Sequence, residues 1–180
     1  MPRFKANGIE WLQGTGKVLP EKTVEITAVD GSTSQATASN IIIATGSTPV
    51  AIPPAPLHED IVVDNAGALK WTSVPKKLGV IGAGVIGLEF GSVWRRLGAE
   101  VVIIEAQNEF LSMADTTIAK AAFRGFQKQG LDIRLGALVK NTERTKDGVV
   151  ISYTDAKGDQ EVTVDRLIVA VGRRPHTVNI

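Results

Sequence analysis

Three glycines, Gly82, Gly84 and Gly87, have the spacing G-x-G-x-x-G and directly follow the apolar residues 78–81. In a dinucleotide site the first glycine permits a tight turn, and the second lets the backbone approach a pyrophosphate. The third lets a helix pack closely against a strand. The N-terminus of that helix presents N–H groups and a partial positive charge to the phosphates. We therefore predict a pyrophosphate site formed by the consecutive residues Gly82, Ala83, Gly84, Val85, Ile86 and Gly87.

A carboxylate after the next apolar run indicates which dinucleotide this site would bind. Glu105 follows the apolar residues 101–104 and lies about 20 positions after Gly82, the separation typical of a ribose-binding acid. Such a carboxylate accepts hydrogen bonds from the adenosine ribose hydroxyls and repels a 2′-phosphate. No Lys or Arg follows until Lys120, so the usual cationic partner of NADP is missing. The pattern predicts NAD, with a solvated carboxylate at a strand end as the alternative for Glu105.

Alternating strands and helices must position these residues. The apolar spacing predicts one helix over 85–97 and a second over 115–129, with Asp115 as the N-cap of the second. Strands are expected at 78–81, 100–105, 131–135, 149–154, 161–164 and 167–171. This order predicts an α/β fold: a Rossmann-like NAD-binding domain built on a parallel sheet with a β-meander.

Residues 1–50 contain short strand patterns instead, at 8–12, 23–28 and 37–45. Several prolines follow within residues 48–56, which is typical of an extended linker. We therefore expect four segments, namely a β-rich region at 1–50, a linker at 51–75, the nucleotide-binding domain at 76–175 and a short C-terminal segment at 176–180.

Two segments of the chain resemble each other. Residues 41–49 and 167–175 are both apolar strand patterns that end in Ala-x-Gly-x-x-Pro. If each closes a dinucleotide-binding sheet, the sheet closed by 41–49 would begin before residue 1. The alternative is that two buried strands end alike by coincidence. The similarity favours the interpretation that this chain is a piece of a protein with two dinucleotide sites.

The composition argues against several classes of function. The formal net charge is +1 and no basic block occurs, which argues against nucleic-acid binding. No apolar run is long enough to span a bilayer and the N-terminus lacks a signal-peptide core, so we expect a cytoplasmic protein. Cysteine is absent, and the two histidines, His58 and His176, lie far apart in the sequence. We therefore expect neither thiol chemistry nor a metal site in this chain.

Five blocks of sequence resemble the dihydrolipoamide dehydrogenases, which are FAD- and NAD-dependent pyridine nucleotide–disulfide oxidoreductases. The blocks are residues 14–17, 43–47, 80–94, 97–101 and 171–175. The run Gly-Ser-Val-Trp-Arg-Arg-Leu-Gly-Ala within them favours this family over glutathione, mercuric or thioredoxin-type reductases. The resemblance extends over essentially the whole chain. It implies that residues 1–50 are the β-rich C-terminal piece of an FAD-binding domain and that 176–180 begin the return to it.

The resemblance also implies roles for single residues. Glu89 resembles the glutamate that lies between nicotinamide and flavin and orients the carboxamide, although an exposed helix residue is the alternative. Val139 matches a position beside the adenine, with a plain core valine as the alternative. Gly172 matches a glycine whose backbone lies near the nicotinamide half. Three further residues match backbone contacts to FAD, namely Gly16, Thr45 and Gly46.

By resemblance, the full enzyme is a homodimer that passes electrons from dihydrolipoamide, through a redox disulfide and FAD, to NAD. The dihydrolipoamide would be carried on a lipoyl domain of a 2-oxo-acid dehydrogenase complex. The cysteine pair would precede residue 1, and a His–Glu acid–base pair would follow Ile180. We therefore expect this chain to hold no catalytic residue and to be inactive alone.

Other interpretations remain open. A soluble transhydrogenase or another flavoprotein disulfide reductase would carry the same blocks, and the transhydrogenase would lack the cysteine pair. A non-catalytic nucleotide-binding module is the alternative from a different class. Such a module should be a monomer with covered edge strands, whereas we expect residues 1–50 to be mobile or paired with another copy.

Overall fold

The computed structural model describes residues 2–178 and residue 180, which form two compact units. The first unit comprises Met1–Ser47 and Pro175–Ile180, and the second comprises Thr48–Arg174. The predicted α/β class is confirmed, because a five-stranded parallel sheet occurs together with antiparallel sheets.

The first unit is built on a small antiparallel meander. A short helix α1 precedes its three strands, and the elements are α1 (Pro2–Ala6), β1 (Thr15–Leu19), β2 (Thr23–Thr27) and β3 (Thr33–Thr37). The sheet order is β1-β2-β3, with Gly16 opposite Ile26 in the first pair. Among the described residues of this unit, Ile26 is the only buried apolar residue, so the meander has little core of its own.

The second unit alternates strands and helices before a three-stranded antiparallel run. Its elements are β4 (Ser47–Pro49), β5 (Val62–Val63), α2 (Asn65–Ala68), β6 (Lys77–Ile81), α3 (Val85–Arg96), β7 (Glu100–Ile104), α4 (Thr116–Lys128), β8 (Leu131–Arg134), β9 (Leu138–Thr145), β10 (Gly148–Asp155), β11 (Gly158–Val164), β12 (Arg166–Val169) and β13 (Arg173–Pro175). Strands β4 and β13 pair with each other as a two-stranded sheet, and each has one terminal residue, Ser47 or Pro175, in the range given for the first unit.

The parallel sheet has the order β5-β12-β6-β7-β8. Strand β12 lies beside β6, with Leu167 opposite Gly79, although the two are far apart in sequence. Parallel strands that are covered on both faces need apolar side chains at nearly every position, as the Val- and Ile-rich strands here provide. Because all parallel strands end at the same edge, the residues that follow β6, β7, β8 and β12 come together there.

Two clusters of buried side chains cover the two faces of this sheet. On one face Val102 and Ile104 pack with residues of the meander β9–β10–β11, including Ile151. On the other face Val101 and Ile103 pack with Leu88 and other residues of the helices. Alternate residues of one strand therefore serve two separate cores, which explains why the apolar pattern of β7 is continuous.

The helices end where local chemistry predicts. Asp115 caps α4, since its carboxylate accepts hydrogen bonds from the N–H groups of Thr117 and Ile118 at 2.9 and 3.3 Å. Gly98 follows α3 in the left-handed conformation, with φ +109°. The expected helices at 85–97 and 115–129 are thus confirmed, each to within one residue at its ends.

The structure departs from the expectation in the first unit. Residues 8–12 and 38–46 form no strand, although strands were predicted at 8–12 and 37–45. Ile42 and Ile43 remain 89% and 60% exposed, because no strand among the described residues pairs with them. Apolar, β-branched sequence is not enough to form a strand when a partner strand and a face to bury are missing.

The segment 51–75, expected as a linker, contributes both β5 and α2 to the second unit. Val62 and Val63 are buried and pair with β12, so this stretch extends the parallel sheet by one strand.

Strand β9 was not expected from the sequence either. Its pattern is mostly polar, because β9 is the outer strand of the meander and contributes few buried residues.

Candidate dinucleotide site

The first glycine of the fingerprint forms the turn that leaves β6. Gly82 has φ +104°, in the left-handed region, and a Cβ here would lie 2.5 Å from the carbonyl oxygen of Ala170. Its N–H donates to the carbonyl of Ile104 at 2.8 Å, which joins the turn to the end of β7. Any side chain would meet both an unfavourable backbone conformation and a clash, so the turn requires glycine.

The third glycine brings helix α3 against that turn. A Cβ on Gly87 would overlap the carbonyl oxygen of Gly82, and the side chain of Val80 lies just beyond it. The close approach of helix and strand fixes the direction in which the helix N-terminus points. This is the packing role that the spacing predicts for the third glycine.

The second glycine opens the space in front of the helix. Gly84 is the N-cap of α3, no side chain caps this helix end, and a Cβ on Gly84 would meet nothing within 4 Å. Val85 is 64% exposed at the first helical position. The first turn of α3 therefore presents backbone N–H groups and the positive end of the helix dipole to an open region. A pyrophosphate fits this arrangement because it needs donors and a close backbone approach.

Glu105 lies directly across the glycine turn. Its Oε2 accepts a hydrogen bond from the N–H of Ala83 at 2.7 Å, and its Oε1 accepts one from the N–H of Gln107 at 2.8 Å. Both oxygens are therefore held by backbone donors, and the carboxylate is half-buried. Because an ionised carboxylate offers about four acceptor positions, it keeps capacity for two ribose hydroxyls. The contact places the predicted ribose acid beside the predicted pyrophosphate turn.

The backbone around Glu105 is fixed by the segment that follows β8. The N–H of Glu105 donates to the carbonyl of Arg134 at 2.9 Å, and the N–H of Ala137 donates to the carbonyl of Glu105 at 2.8 Å. The N–H of Gly136 donates to the carbonyl of Gln107 at 2.9 Å. Three strand ends thus converge, and these hydrogen bonds position the backbone of Glu105.

Arg134 connects this edge to the meander. Its guanidinium forms an ion pair with Asp132 at 2.7 Å and donates to the hydroxyl of Tyr153 at 2.5 Å. Partial burial opposes the charge of the guanidinium, but the hydrogen bonds to Asp132 and Tyr153 outweigh it and raise the pKa of Arg134. Arg134 therefore stays protonated and stabilises the position of β8 against the meander.

The remaining residues predicted to bind NAD lie at different places in the second unit. Glu89 is exposed on α3, in the turn after the glycine fingerprint. Val139 is 7% exposed, lies opposite Tyr153 and belongs to the core between sheet and meander. Gly172 has φ +124°, and its carbonyl accepts from the N–H of Val50 at 3.0 Å. The structure thus joins Glu105 to the glycine turn directly and leaves Val139 in a core position.

The residues predicted to contact FAD lie in the first unit. Gly46 has φ +82°, and its carbonyl accepts from the N–H of His176 at 3.0 Å. The Thr45 hydroxyl donates to the carbonyl of the same histidine at 2.5 Å. Gly16 is an exposed residue of β1. Thr45 and Gly46 are therefore neighbours that share one partner, whereas Gly16 belongs to the meander.

Sequence reasoning missed the residues that hold Glu105 in place. Gln107, Arg134 and Ala137 contribute through backbone atoms, so their side-chain types carry little signal. The topology offers the one available clue, because the residues that follow adjacent parallel strands must meet at one edge. Among the described residues no cluster of three His, Asp or Glu could hold a metal ion. No helix in the described part is long and apolar enough to cross a membrane.

A model of the pyridine nucleotide-disulphide oxidoreductases matches residues 3–180. The chain belongs to this family. The family's description names a pyridine nucleotide. A site for such a nucleotide agrees with the glycine turn, the uncapped start of α3 and the carboxylate of Glu105.

Curated relatives of this chain include dihydrolipoyl dehydrogenases. The enzyme from Cupriavidus necator is 49% identical over 178 residues, which is 98% of this chain and 37% of the relative. The dihydrolipoamide dehydrogenase from Chaetomium thermophilum is 42% identical over 97% of this chain and 35% of the relative. The chain therefore spans little more than a third of the length of these relatives.

Solved structures agree with the fold. The HOCl-induced flavoprotein disulfide reductase from Escherichia coli is 29% identical with a TM-score of 0.75, covering 96% of this chain and 38% of that chain. A structure named LpdA from Mycobacterium tuberculosis has a TM-score of 0.82 at 24% identity, covering 98% of this chain and 39% of that chain. The second similarity supports the fold alone, since its identity is low.

Proposed function

We propose that this chain is the NAD-binding segment of a flavoprotein dihydrolipoyl dehydrogenase. The contact between the Glu105 carboxylate and the Ala83 N–H carries the proposal for NAD, because a negative charge beside the glycine turn would repel the 2′-phosphate of a dinucleotide bound there. The identity of 49% to a dihydrolipoyl dehydrogenase supports the choice of enzyme. In the whole protein, electrons would pass from dihydrolipoamide through a redox disulfide and FAD to NAD.

The chain's own residues bind and orient the nucleotide in this proposal. Residues 82–87 donate backbone hydrogen bonds to the pyrophosphate at the start of α3. Glu105 accepts hydrogen bonds from the adenosine ribose, and its fixed position discriminates against NADP by repulsion and by desolvation of an unpaired charge. NAD supplies, when bound, an acceptor for two electrons.

Further roles rest on the family resemblance. Glu89 would orient the carboxamide of the nicotinamide, and its exposure on α3 leaves it free to reach a ligand. Gly172 would let the backbone approach the nicotinamide half, since a Cβ there meets nothing within 4 Å. Val139 would line the adenine, although its burial in the core makes it the weakest of these candidates. FAD would be contacted by Gly16, Thr45 and Gly46.

The proposed substrate is dihydrolipoamide on a lipoyl carrier domain of a 2-oxo-acid dehydrogenase complex, and the proposed assembly is a cytoplasmic homodimer. A different flavoprotein disulfide reductase is the second candidate, because a solved structure of that class shares the fold at 29% identity. The flanking coding sequence discriminates the dehydrogenase from a soluble transhydrogenase, which would lack the redox cysteine pair. A C-x-x-x-x-C motif upstream and a His–Glu pair downstream support the dehydrogenase, and absence of the cysteine pair contradicts it.

Calorimetric titration of the chain with NADH and NADPH tests the choice of cofactor. We expect NADH to bind more tightly, and we expect Glu105→Ala to weaken NADH binding by about tenfold while removing most of the preference. Glu143→Ala is a matched control, since it removes an exposed carboxylate on β9 of the same unit. Tighter binding of NADPH, or equal behaviour of the two variants, would contradict the role of Glu105.

A further inference from the structure

A cavity of about 420 Å³ lies between the loop before α4 and the helix itself, apart from the glycine turn. Its volume falls within the range of small-molecule sites, roughly 300–1,000 Å³. The cavity shares none of the residues predicted to bind NAD or FAD. Its principal lining residues are Phe110, Leu111, Ala119, Lys120, Phe123 and Arg124.

The walls of the cavity are largely apolar. The rings of Phe110 and Phe123 meet edge to face, with centroids 5.0 Å apart at 64°, and Phe110 also meets Phe126 at 6.4 Å. Leu111 and Leu135 pack beside them, and these side chains are only partly buried. Such a wall can remove an alkyl or aromatic group from water, because it presents apolar and aromatic side chains to the cavity.

Two cations stand at the helical side of the same cavity. Lys120 and Arg124 are one helical turn apart on α4, so they lie on the same face of the helix. Both are exposed, and neither forms an ion pair with any residue that the structure describes. Glu109 is the single carboxylate in the lining, which leaves the cavity with a net positive charge.

We propose that this cavity binds a small carboxylate with an alkyl or aromatic body. The apolar walls hold the body, while Lys120 and Arg124 bind the carboxylate at the cavity's edge. A neutral apolar molecule contacts the walls but gains no attraction from the two cations. A bare inorganic anion satisfies the cations but buries no apolar surface. The combination of wall and charge therefore selects an amphiphilic anion.

Titration of the ¹⁵N-labelled chain with octanoate, followed by amide chemical shifts, tests this site, and 1-octanol serves as the uncharged probe of equal chain length. We expect octanoate to shift amides of residues 109–124 saturably, and 1-octanol to bind at least fivefold more weakly there. Shifts confined to residues 38–46, or equal binding of the two probes, would overturn the proposal. An absence of shifts at 109–124 would overturn it as well.

The charge requirement has its own pair of variants. The double variant Lys120→Gln/Arg124→Gln changes two exposed side chains, and we expect it to lower the affinity for octanoate by a factor of about five or more. Lys128→Gln/Lys157→Gln makes the same change of net charge outside the cavity and should leave the affinity unchanged. Equal losses in both double variants would show that octanoate responds only to overall charge, and the proposed site would be wrong. NADH affinity is measured in parallel, so failure here is distinct from failure of the proposed cofactor.

Discussion

The two segments that resemble each other in sequence have opposite surroundings. Ile168 in residues 167–175 is fully buried in the parallel sheet, whereas its counterpart Ile42 in residues 41–49 is 89% exposed. Strand β12 lies between two partner strands, whereas none of the described strands pairs with residues 41–46. The same apolar pattern thus gives a strand in one place and an irregular segment in the other, so partners decide which forms.

The turns at the ends of the two segments nevertheless agree. Gly46 and Gly172 both have left-handed backbones, with φ +82° and +124°. The carbonyl of Gly46 accepts from His176, and that of Gly172 accepts from Val50, each at 3.0 Å. Local chemistry therefore fixes the glycine turns in both segments, while the strands that precede them depend on tertiary partners.

Hydrogen exchange should give the largest contrast between the two segments. We expect the amides of β6, β7 and β12 to exchange at least about a thousandfold more slowly than those of residues 39–46. None of the amides at 39–46 donates a hydrogen bond to another residue that the structure describes. Strong protection of the amides at 39–46 in a dilute monomer would show that they form hydrogen bonds within the chain, and it would contradict the expected difference between the two segments. Protection that rises with protein concentration would indicate pairing with another copy.

Replacing Ile168 and Ile42 tests the contrast between the two segments through the free energy of unfolding. We expect Ile168→Ala to lower the free energy of unfolding by about 2–5 kcal/mol, because it leaves a cavity between the helices and the sheet. Ile42→Ala should change it by less than about 0.5 kcal/mol, since an exposed side chain loses little contact. Urea titration of both variants measures these values. Similar losses in the two variants would mean that residue 42 is buried in solution.

Glycine substitutions separate backbone conformation from steric contact. Gly46→Ala should cost about 1–2 kcal/mol, because the left-handed conformation disfavours a Cβ that otherwise meets open space. Gly82→Ala should cost more, since its Cβ would also clash with the carbonyl of Ala170. We expect NADH binding to be lost in Gly82→Ala and unchanged in Gly46→Ala, as measured by calorimetry on the folded variants. If Gly82→Ala still bound NADH, the turn at Gly82 would not be part of the NAD site.

The sequence allowed the second unit to be predicted in most of its parts. Periodicity and capping residues located α3 and α4, and the glycine spacing predicted the turn that Gly82 and Gly87 form. The hydrogen bond between Ala83 and Glu105 could not be predicted from periodicity or spacing, because it depends on the register of the neighbouring strands. Residues 37–45 were predicted as a strand for a similar reason, since a pattern of residue types does not reveal whether a partner is present.

The smallest expected effect concerns a carboxylate in the meander of the first unit. Asp30 accepts hydrogen bonds from the hydroxyl and the N–H of Ser32, at 2.6 and 2.9 Å, and these lower its pKa. A lowered pKa in the folded state means that the stabilisation is present above the ordinary carboxyl pKa and is lost as the pH falls through the folded value. We expect Ser32→Ala to raise the pKa of Asp30 toward its ordinary value by removing the hydroxyl bond, as followed by carboxyl chemical shifts against pH.

The outcome bears on the contrast between the segments, because Asp30 lies in the turn between β2 and β3. A lowered pKa in the unmodified chain would show that this turn is formed, although residues 39–46 belong to no strand. Carboxyl chemical shifts from the second unit, whose residues Ser32→Ala does not change, serve as the control. An ordinary pKa for Asp30 in the unmodified chain would instead mean that the hydrogen bonds of this turn are not formed in solution.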